Sequence, residues 1–324
     1  MECEKVLVSL MEPDNFSQFD CRTLPIENVK YILGPSTYYE YEIGDRTVTL
    51  FGELHLPITR SQLVPEMTSQ NTLIFSSYVH SLAVQNPDKK YDLMFESVFF
   101  PSKGEKKPSI FDYVGSSSPA ANSIVFEFFR CIFEVYREKC PYANLRLHYI
   151  DFRNNKHIEA VVSKLDYMIG EFYTTSPDNL KIFLDGAGKE LLTLLDDPKI
   201  RKQFDAIKND VLRQKLRDYF ASNFSSLSEW VMENVNTGKM REGFELYTAI
   251  ISQILDMYAL ARIFRDFEKS RSVTQFGGTA KNVIYYAGDD HIQNLKSFFS
   301  ELGIKPVKSV VMPPYDYAYV KIRD

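Results

Sequence analysis

Cysteines are few in this sequence, and long apolar runs are missing. The 324 residues include four cysteines, and none of them forms a C-x-x-C pair or another spacing typical of a metal knuckle. We therefore expect reduced thiols and a cytoplasmic protein. No segment approaches the roughly 18 to 20 apolar residues that a membrane span requires. The stretch MECEKVLVSLMEPDNF has acidic residues where a secretory signal has basic ones, which disfavours a signal peptide.

A basic excess is also missing. Lys and Arg number 38 while Asp and Glu number 43, so the net charge is -5 at pH 7. This balance, without a basic run or face, disfavours nucleic acid and anionic membranes as partners. We expect a small-molecule or peptide substrate instead. The oligomeric state stays open at this level.

Two kinds of catalytic signature are absent. The chain has no G-x-S-x-G elbow, so a serine hydrolase of that type lacks its motif. It has neither G-x-G-x-x-G nor G-x-x-x-x-G-K-[ST], so a cradle for nucleotide phosphates has no support.

Short β-rich runs alternate with longer segments of helical spacing along most of the chain. The strand candidates are residues 38–43, 46–51, 91–95, 145–150, 282–287, 307–312 and 317–322. The helix candidates are residues 70–84, 122–139, 156–172, 242–268 and 289–302, with a further series of helices over 180–235. Gly44-Asp45 predicts a two-residue hairpin between the first two strands. The alternation predicts an α/β protein with a mainly parallel central sheet flanked by helices.

Residues 155–275 interrupt the alternation with helical patterns alone. No strong linker marks a domain boundary on either side of them. We therefore predict a single α/β domain over residues 1–324, with a large helical insertion at 155–275. Residues 101–120 are polar and rich in Lys, Ser, Gly and Pro, which predicts a loop.

The same short polar motif follows two strand candidates that lie more than two hundred residues apart. VTLFGELHLP (48–57) and YYAGDDHIQNL (285–295) each read as an apolar strand followed by Gly-x-x-His. In an open parallel sheet the carboxyl ends of the strands lie at one edge, where ligands bind. If the inner strands are neighbours, one cleft collects the polar residues that follow them. These residues are Glu53, His55, Glu96, Asp151, Arg153, Asp290 and His291.

Imidazoles beside carboxylates favour two kinds of chemistry. They suit a divalent metal such as Zn or Mn, which can acidify a bound water. The candidate metal ligands are His55, His291, Glu53, Glu96 and Asp290. Without metal, a histidine held by a carboxylate can act as a general base on water. The alternative is structural, because Asp289 or Asp290 can cap the helix that begins there and Gly303 suits its end.

The motifs resemble those of a known superfamily. FGELH looks like its first motif in the form Gly-Glu-x-His, MFESV like its second-strand glutamate, and YYAGDDHIQNL like its C-terminal Gly-x-x-His. The superfamily joins erythromycin esterases, the ChaN haem-iron proteins, the TIKI and TraB proteases and a bacterial toxin domain. The resemblance implies that Glu53, His55, Glu96 and His291 take the active-site positions. Two acidic residues, Asp289 and Asp290, stand in the second motif where small or apolar ones are expected.

The wider layout also resembles uncharacterised proteins of large DNA viruses, including DMYALARIF (256–264) on the long helix. For a viral protein the expected location is the host cytoplasm or the virion. On that helix Tyr258, Arg262 and Arg265 share one face. Arg262 could reach the cleft and stabilise an oxyanion, and the superfamily does use arginines. An ion pair with Asp256 or Asp266 is the alternative for Arg262.

The remaining histidines are expected to be structural. His80 lies in a helix beside apolar positions, His148 lies inside a strand, and His157 begins a helix. Packing or capping accounts for such positions.

Together these patterns predict a hydrolase of an ester or a peptide bond. His55 is the first choice for general base or metal ligand, and Glu53 would orient it. Glu96 would be a second acid/base group or ligand, and His291 the partner imidazole. One alternative is a protein that binds a metal without turnover, or a haem, which is less expected than a divalent metal. The other is a catalytically inactive structural or host-interaction protein, which a viral origin would suit.

Overall fold

A computed structural model of the chain describes residues 24–54, 63–98, 124, 127–128, 140–151, 163, 177–236, 243–268, 276–312 and 318–323. The chain divides into two compact units. The first comprises Met1–Tyr149 together with Phe267–Asp324, and the second comprises Ile150–Asp266. The first unit is therefore built from two segments of the chain that flank the second in sequence. The division into one domain with an insertion at 155–275 stays a prediction.

The described residues form eleven strands and seven α-helices. The strands are β1 Tyr31–Leu33, β2 Thr37–Ile43, β3 Arg46–Glu53, β4 Thr72–Ile74, β5 Tyr91–Val98, β6 Leu145–Asp151, β7 Asp266–Phe267, β8 Gly278–Thr279, β9 Asn282–Gly288, β10 Lys308–Val311 and β11 Tyr319–Lys321. The helices are α1 Phe75–Gln85, α2 Pro177–Leu194, α3 Pro198–Asp205, α4 Asp210–Ser225, α5 Leu227–Asn236, α6 Gly243–Phe264 and α7 Asp289–Glu301. A short 3-10 helix covers Ile26–Asn28.

The main sheet has six strands in the order β10-β2-β3-β9-β5-β6. It begins with the predicted hairpin, in which Ile43 pairs with Arg46 and Gly44 adopts a φ of 63°. That left-handed conformation suits glycine because it has no Cβ. Strand β10 adds to β2 in the antiparallel sense. The hairpin therefore supplies the antiparallel side of a sheet whose centre is parallel.

The centre of the sheet confirms the predicted α/β class. Strand β9 lies between β3 and β5 and runs parallel to both, although it comes almost two hundred residues after β5 in sequence. Strand β6 lies beside β5. The four strands that precede the predicted site residues are thus neighbours, as the sequence analysis required.

Helices cover both faces of this sheet within the first unit. Phe51 and Gly52 are successive residues of β3, so they face opposite sides. Phe51 packs edge-on against Phe75 of α1, with ring centroids 4.9 Å apart. On the other side, a Cβ at Gly52 would lie 2.9 Å from Ile292 of α7. An aromatic core therefore forms beneath α1, while α7 lies close to the backbone of β3.

A second sheet has the order β11-β1-β4. Strand β4 pairs in parallel with β1, and Leu33 is opposite Ile74. The prediction of one helix over 70–84 is therefore wrong at its start, because residues 72–74 form a strand and α1 begins only at Phe75. The sequence pattern alone could not reveal this strand, because three residues are too few to distinguish the helical period from the strand period. Strand β1 was not predicted either.

Helix α7 differs from the sequence prediction at its start and agrees with it at its end. Its N-cap is Gly288, without a side-chain capping bond, so the prediction that Asp289 or Asp290 caps the helix is wrong. Both aspartates lie within the first turn, where carboxylates interact favourably with the helix dipole. The predicted role of Gly303 is confirmed: its φ is 74°, and its N–H donates to the carbonyl of Ser300. The N–H of Ile304 reaches Phe299, which completes a Schellman motif.

The second unit confirms the predicted series of helices over 180–235. Asp197 caps α3 through the N–H of Lys199 at 2.8 Å, and Asn209 caps α4 through Leu212 at 3.0 Å. Helix α6 ends at Phe264, four residues before the predicted end at 268. The N–H of Asp266 donates to the carbonyl of Ala206 instead of continuing the helix.

Several sequence predictions lie outside the described residues. They concern His55, Arg153, His157, the loop at 101–120, and the helices at 122–139 and 156–172, of which only residues 124, 127, 128 and 163 are described, all helical. Cys140 is disulfide-bonded. The expectation of reduced thiols is therefore wrong for Cys140, because sequence spacing does not report which thiols meet in space. Within the ranges that are described, no helix is long and apolar enough to cross a membrane.

Candidate functional site

The first Gly-x-x-His motif begins at a crowded backbone position. The hydroxyl of Thr37 donates to Oδ1 of Asp289 at 2.7 Å directly over Gly52. A Cβ at position 52 would lie 2.6 Å from that Oδ1 atom and would also collide with the Thr37 hydroxyl. Glycine is therefore required here by space, since β3, β2 and the start of α7 meet at this point.

The same packing explains why an acidic residue stands at position 289. Its second carboxylate oxygen, Oδ2, accepts from Gln293 one turn further along α7, at 3.0 Å. The two contacts join the start of α7 to β2 and to its own first turn. The acidic residue in the second motif thus has a structural role, although it is not the cap.

Glu53 ends β3 and is buried, with 4% of its surface exposed. Its Oε2 atom accepts a hydrogen bond of 2.6 Å from the hydroxyl of Tyr286 on the neighbouring strand β9. Burial raises the pKa of the Tyr286 phenol well above its ordinary value, and the nearby carboxylates of Glu53 and Glu96 raise it further. The phenol therefore stays protonated and acts as the donor. Sequence analysis missed Tyr286, although its position two residues before Gly288 places it on the same face as that glycine.

Glu96 connects strand β5 to the second Gly-x-x-His motif. One oxygen, Oε2, accepts from the backbone N–H of Gly288 at 3.0 Å. The other, Oε1, lies 3.4 Å from Nε2 of His291. The side chain of Glu96 is 19% exposed, against 8% for His291. Glu96 is therefore placed at the positive end of α7, where it satisfies a backbone donor and faces the imidazole.

The structure thus brings part of the predicted set together. Glu53, Glu96 and His291 lie at the carboxyl ends of three adjacent parallel strands, β3, β5 and β9 with its following helix. Asp290 is exposed in the first turn of α7. Asp151 is buried as the last residue of β6, and it belongs to the second unit.

Arg262 lies in the second unit and makes contacts there. It donates to the hydroxyl of Tyr258 at 3.0 Å, which confirms the predicted shared face, and to Oε1 of Gln203 at 3.3 Å. The same oxygen of Gln203 also accepts from Arg265. A role for Arg262 in stabilising an oxyanion stays a prediction.

Two other histidines make contacts outside this site. Nδ1 of His80 on α1 bonds to the hydroxyl of Tyr142 and lies 3.3 Å from Glu127. His148 on β6 is buried, and its Nε2 lies 2.7 Å from Oδ1 of Asp92 on β5. Asp92 was not singled out in the sequence, where it is one more polar residue at a strand start.

A buried ion cluster forms around Asp92. The Nε atom of Arg146 donates to the same Oδ1 atom, and the Arg146 guanidinium lies over the rings of Phe267 and Phe276, 4.0 and 4.7 Å from their centroids. Burial opposes ionisation of Asp92, but the hydrogen bonds and charges of His148 and Arg146 outweigh it. The pKa of Asp92 consequently lies below its ordinary value.

The metal prediction is not decided by these contacts. Among the described residues, no three His, Cys, Asp or Glu side chains are grouped closely enough to hold an ion. His55, which that prediction requires, lies outside the described ranges. The donor set at the edge, two carboxylates and an imidazole, is of the type that Zn or Mn accepts.

Comparisons with protein family models, with curated proteins and with solved structures found no match to this chain. The resemblance to the erythromycin esterase, ChaN, TIKI and TraB superfamily therefore stays a prediction from short motifs.

Proposed function

We propose that the chain is a hydrolase of ester or peptide bonds and that its active site lies at the carboxyl edge of the six-stranded sheet. One observation carries the proposal: Glu96 contacts both the glycine N–H and the histidine of the second Gly-x-x-His motif. This is the arrangement in which a carboxylate orients an imidazole for proton transfer.

The residues of the two motifs and of the intervening strand would take distinct roles in such a reaction. Glu96 holds His291, which takes a proton from water or from the attacking group. Glu53, with one oxygen bonded to Tyr286, supplies a second carboxylate on the adjacent strand. His55 follows Glu53 by two residues and is the other imidazole that the motif provides. A divalent metal bound by His55, His291, Glu53 and Glu96 would acidify water at this edge.

The test is a panel of ester and peptide substrates with three variants. We expect His291→Ala and Glu96→Gln to lower kcat/KM by about 10²- to 10⁴-fold, the usual contribution of a general base. His80→Ala is the matched control, because it removes a partly buried histidine that contacts Tyr142 and Glu127 instead. Wild-type rates in both site variants would contradict the proposal. Circular dichroism and urea unfolding of each variant separate loss of chemistry from loss of folding.

A metal-binding protein without turnover is the second candidate, favoured by the two carboxylates and the imidazole at one edge. Elemental analysis of protein purified without chelators tests it. We expect stoichiometric metal that is lost in His55→Ala and His291→Ala. Metal retained in both variants would contradict this candidate. A haem-type absorbance on titration would identify haem as the ligand, and an inert protein without metal would favour an interaction role.

A further inference from the structure

Tyr286 lies on the central strand β9, and strand register determines where its hydroxyl points. Tyr286 pairs with Phe51 on one side and with Phe95 on the other, while Glu53 pairs with Gly288. The hydroxyl therefore reaches diagonally, two residues along the strand, to make its 2.6 Å bond with Glu53. A register slip of one residue would move the ring to the other face of the sheet and break the contact.

The ring of Tyr286 is held in place by its surroundings. It is fully buried, and its centroid lies 4.3 Å from that of Phe75 on α1. Phe75 also contacts Phe51 of β3, so α1 and β3 both support the ring. A side chain packed in this way keeps its rotamer. The hydroxyl is consequently a fixed donor, in contrast to the mobile hydroxyl of a surface tyrosine.

The electrostatics favour one direction of donation. A buried carboxylate oxygen without a donor is costly. The phenol pKa of Tyr286 is raised by burial and by the nearby carboxylates, so the phenol keeps its proton and is the donor in this contact. The bond therefore gives the buried Glu53 side chain a fixed donor at the edge where the second motif ends.

We infer that Tyr286 is a positioning residue that holds the Glu53 carboxylate in one orientation at the edge of the sheet where Glu96 and His291 also lie. The contact itself rests on geometry alone, and its consequence for catalysis rests on the proposed function. Tyr286 does not touch a substrate in this scheme. It acts through Glu53.

Three variants separate this role from simple packing. Tyr286→Phe removes only the hydroxyl and keeps the ring against Phe75. Glu53→Gln replaces the carboxylate by an amide of nearly the same shape. Tyr41→Phe is the matched control, because Tyr41 is a buried tyrosine on β2 that packs against Phe299.

The first readout is the Cζ chemical shift of Tyr286, measured at neutral pH by NMR of protein labelled at the tyrosine Cζ carbon. The signal of Tyr286 is the one that disappears in Tyr286→Phe. We expect Glu53→Gln to shift this signal while the signal of Tyr41 stays in place, because the carboxylate acceptor of the Tyr286 hydroxyl is replaced by an amide. An unchanged Tyr286 signal would overturn the inference, since the two groups would then not be in contact.

The second readout is the split between kcat and KM for hydrolysis of a substrate from the panel. We expect Tyr286→Phe to lower kcat by about tenfold or more with KM unchanged, because the Glu53 carboxylate has lost the donor that orients it. Tyr41→Phe keeps the wild-type kcat and KM. If Tyr286→Phe lowers only the urea midpoint and keeps kcat, the role is structural and the inference fails.

The two readouts fail independently. A wild-type protein that hydrolyses nothing contradicts the proposed function, while the Tyr286 chemical shift still decides whether Tyr286 holds Glu53. An active protein with an unchanged Tyr286 signal in Glu53→Gln contradicts the inference and leaves the hydrolase proposal intact.

Discussion

Two histidine–carboxylate clusters involve the same strand, β5, and they differ in how far their side chains are exposed. Near the start of the strand, Asp92 bonds to Arg146 and His148 of β6, and all three side chains are at most 3% exposed. Near its end, Glu96 faces His291, and its side chain is 19% exposed. We call Asp92, Arg146 and His148 the closed cluster. We call Glu53, Glu96 and His291 the open cluster.

The closed cluster is balanced and covered. The Asp92 carboxylate meets a permanent cation in Arg146, whose guanidinium also lies 3.4 Å from the carbonyl of Gly278 and packs on Phe267 and Phe276. In the open cluster Glu53 bonds to Tyr286, and the partly exposed Glu96 faces the imidazole of His291. A partly exposed carboxylate beside an imidazole is typical of a functional site, while a buried ion pair with a permanent cation is typical of structure.

The comparison is most strongly tested by breaking the closed cluster. Arg146→Met keeps an apolar chain between Phe267 and Phe276 but leaves Asp92 without its permanently charged partner. We expect the free energy of unfolding to fall by about 3 to 5 kcal/mol, because a buried charge is left uncompensated. Urea unfolding followed by circular dichroism measures it. A loss below about 1 kcal/mol would mean that the cluster is not what stabilises this end of β5 and β6.

A smaller effect is expected from crowding the open cluster. Gly52→Ala places a methyl group against Asp289 and Thr37, and we expect about 1 to 3 kcal/mol of destabilisation from overpacking. Gly186→Ala is the matched control, because nothing lies within 4 Å of the added carbon in helix α2. Alanine there should stabilise by about 0.5 to 1 kcal/mol, since it is the better helix former. If both variants changed the free energy of unfolding in the same direction, the packing at Gly52 would be contradicted.

The pH dependence of stability distinguishes the closed cluster further. The pKa of Asp92 is lower in the folded protein than its ordinary value of 3.8. Its contribution is therefore present above that pH and is lost as the pH falls through the folded pKa. We expect Asp92→Asn to flatten the acid side of the stability profile, by at most about 1.4 kcal/mol per pH unit. Urea midpoints between neutral and acid pH measure the slopes, and parallel slopes would refute the assignment.

The smallest effect is expected at an ion pair on the surface. Lys281 and Asp45 lie 3.1 Å apart, and more than 60% of each side chain is exposed. Because water and salt screen such a pair, Lys281→Met should leave the urea midpoint unchanged within error. A shift as large as that of Arg146→Met would show that burial is not what separates the two kinds of pair.

Much of the first unit could be predicted from local patterns. The hairpin at Gly44-Asp45, the strands ending near Glu53, Glu96 and Gly288, and the helix that ends at Gly303 all follow from short-range periodicity and turn chemistry. Three-residue strands could not be predicted in this way. Residues 72–74 carry a helical spacing and become β4 only because β1 lies beside them.

The candidate site also contains some residues that local patterns predict and others that they do not. Glu53, Glu96 and His291 could be named because each follows an apolar run, and parallel strands bring such positions to one edge. Tyr286 could not be named, since its contact depends on which strand lies beside β9 and in what register. The contact between Asp289 and Thr37 spans 252 positions in sequence and has no local signal.

The amino-acid sequence by itself determined that a strand leads into each Gly-x-x-His motif, because backbone conformation and side-chain periodicity are local properties. Only the tertiary structure decided that β9 lies between β3 and β5, that Tyr286 donates to Glu53, and that Asp92 is sealed with Arg146. Strand order and burial depend on how distant segments cover each other's apolar faces, and no short window of sequence contains that information.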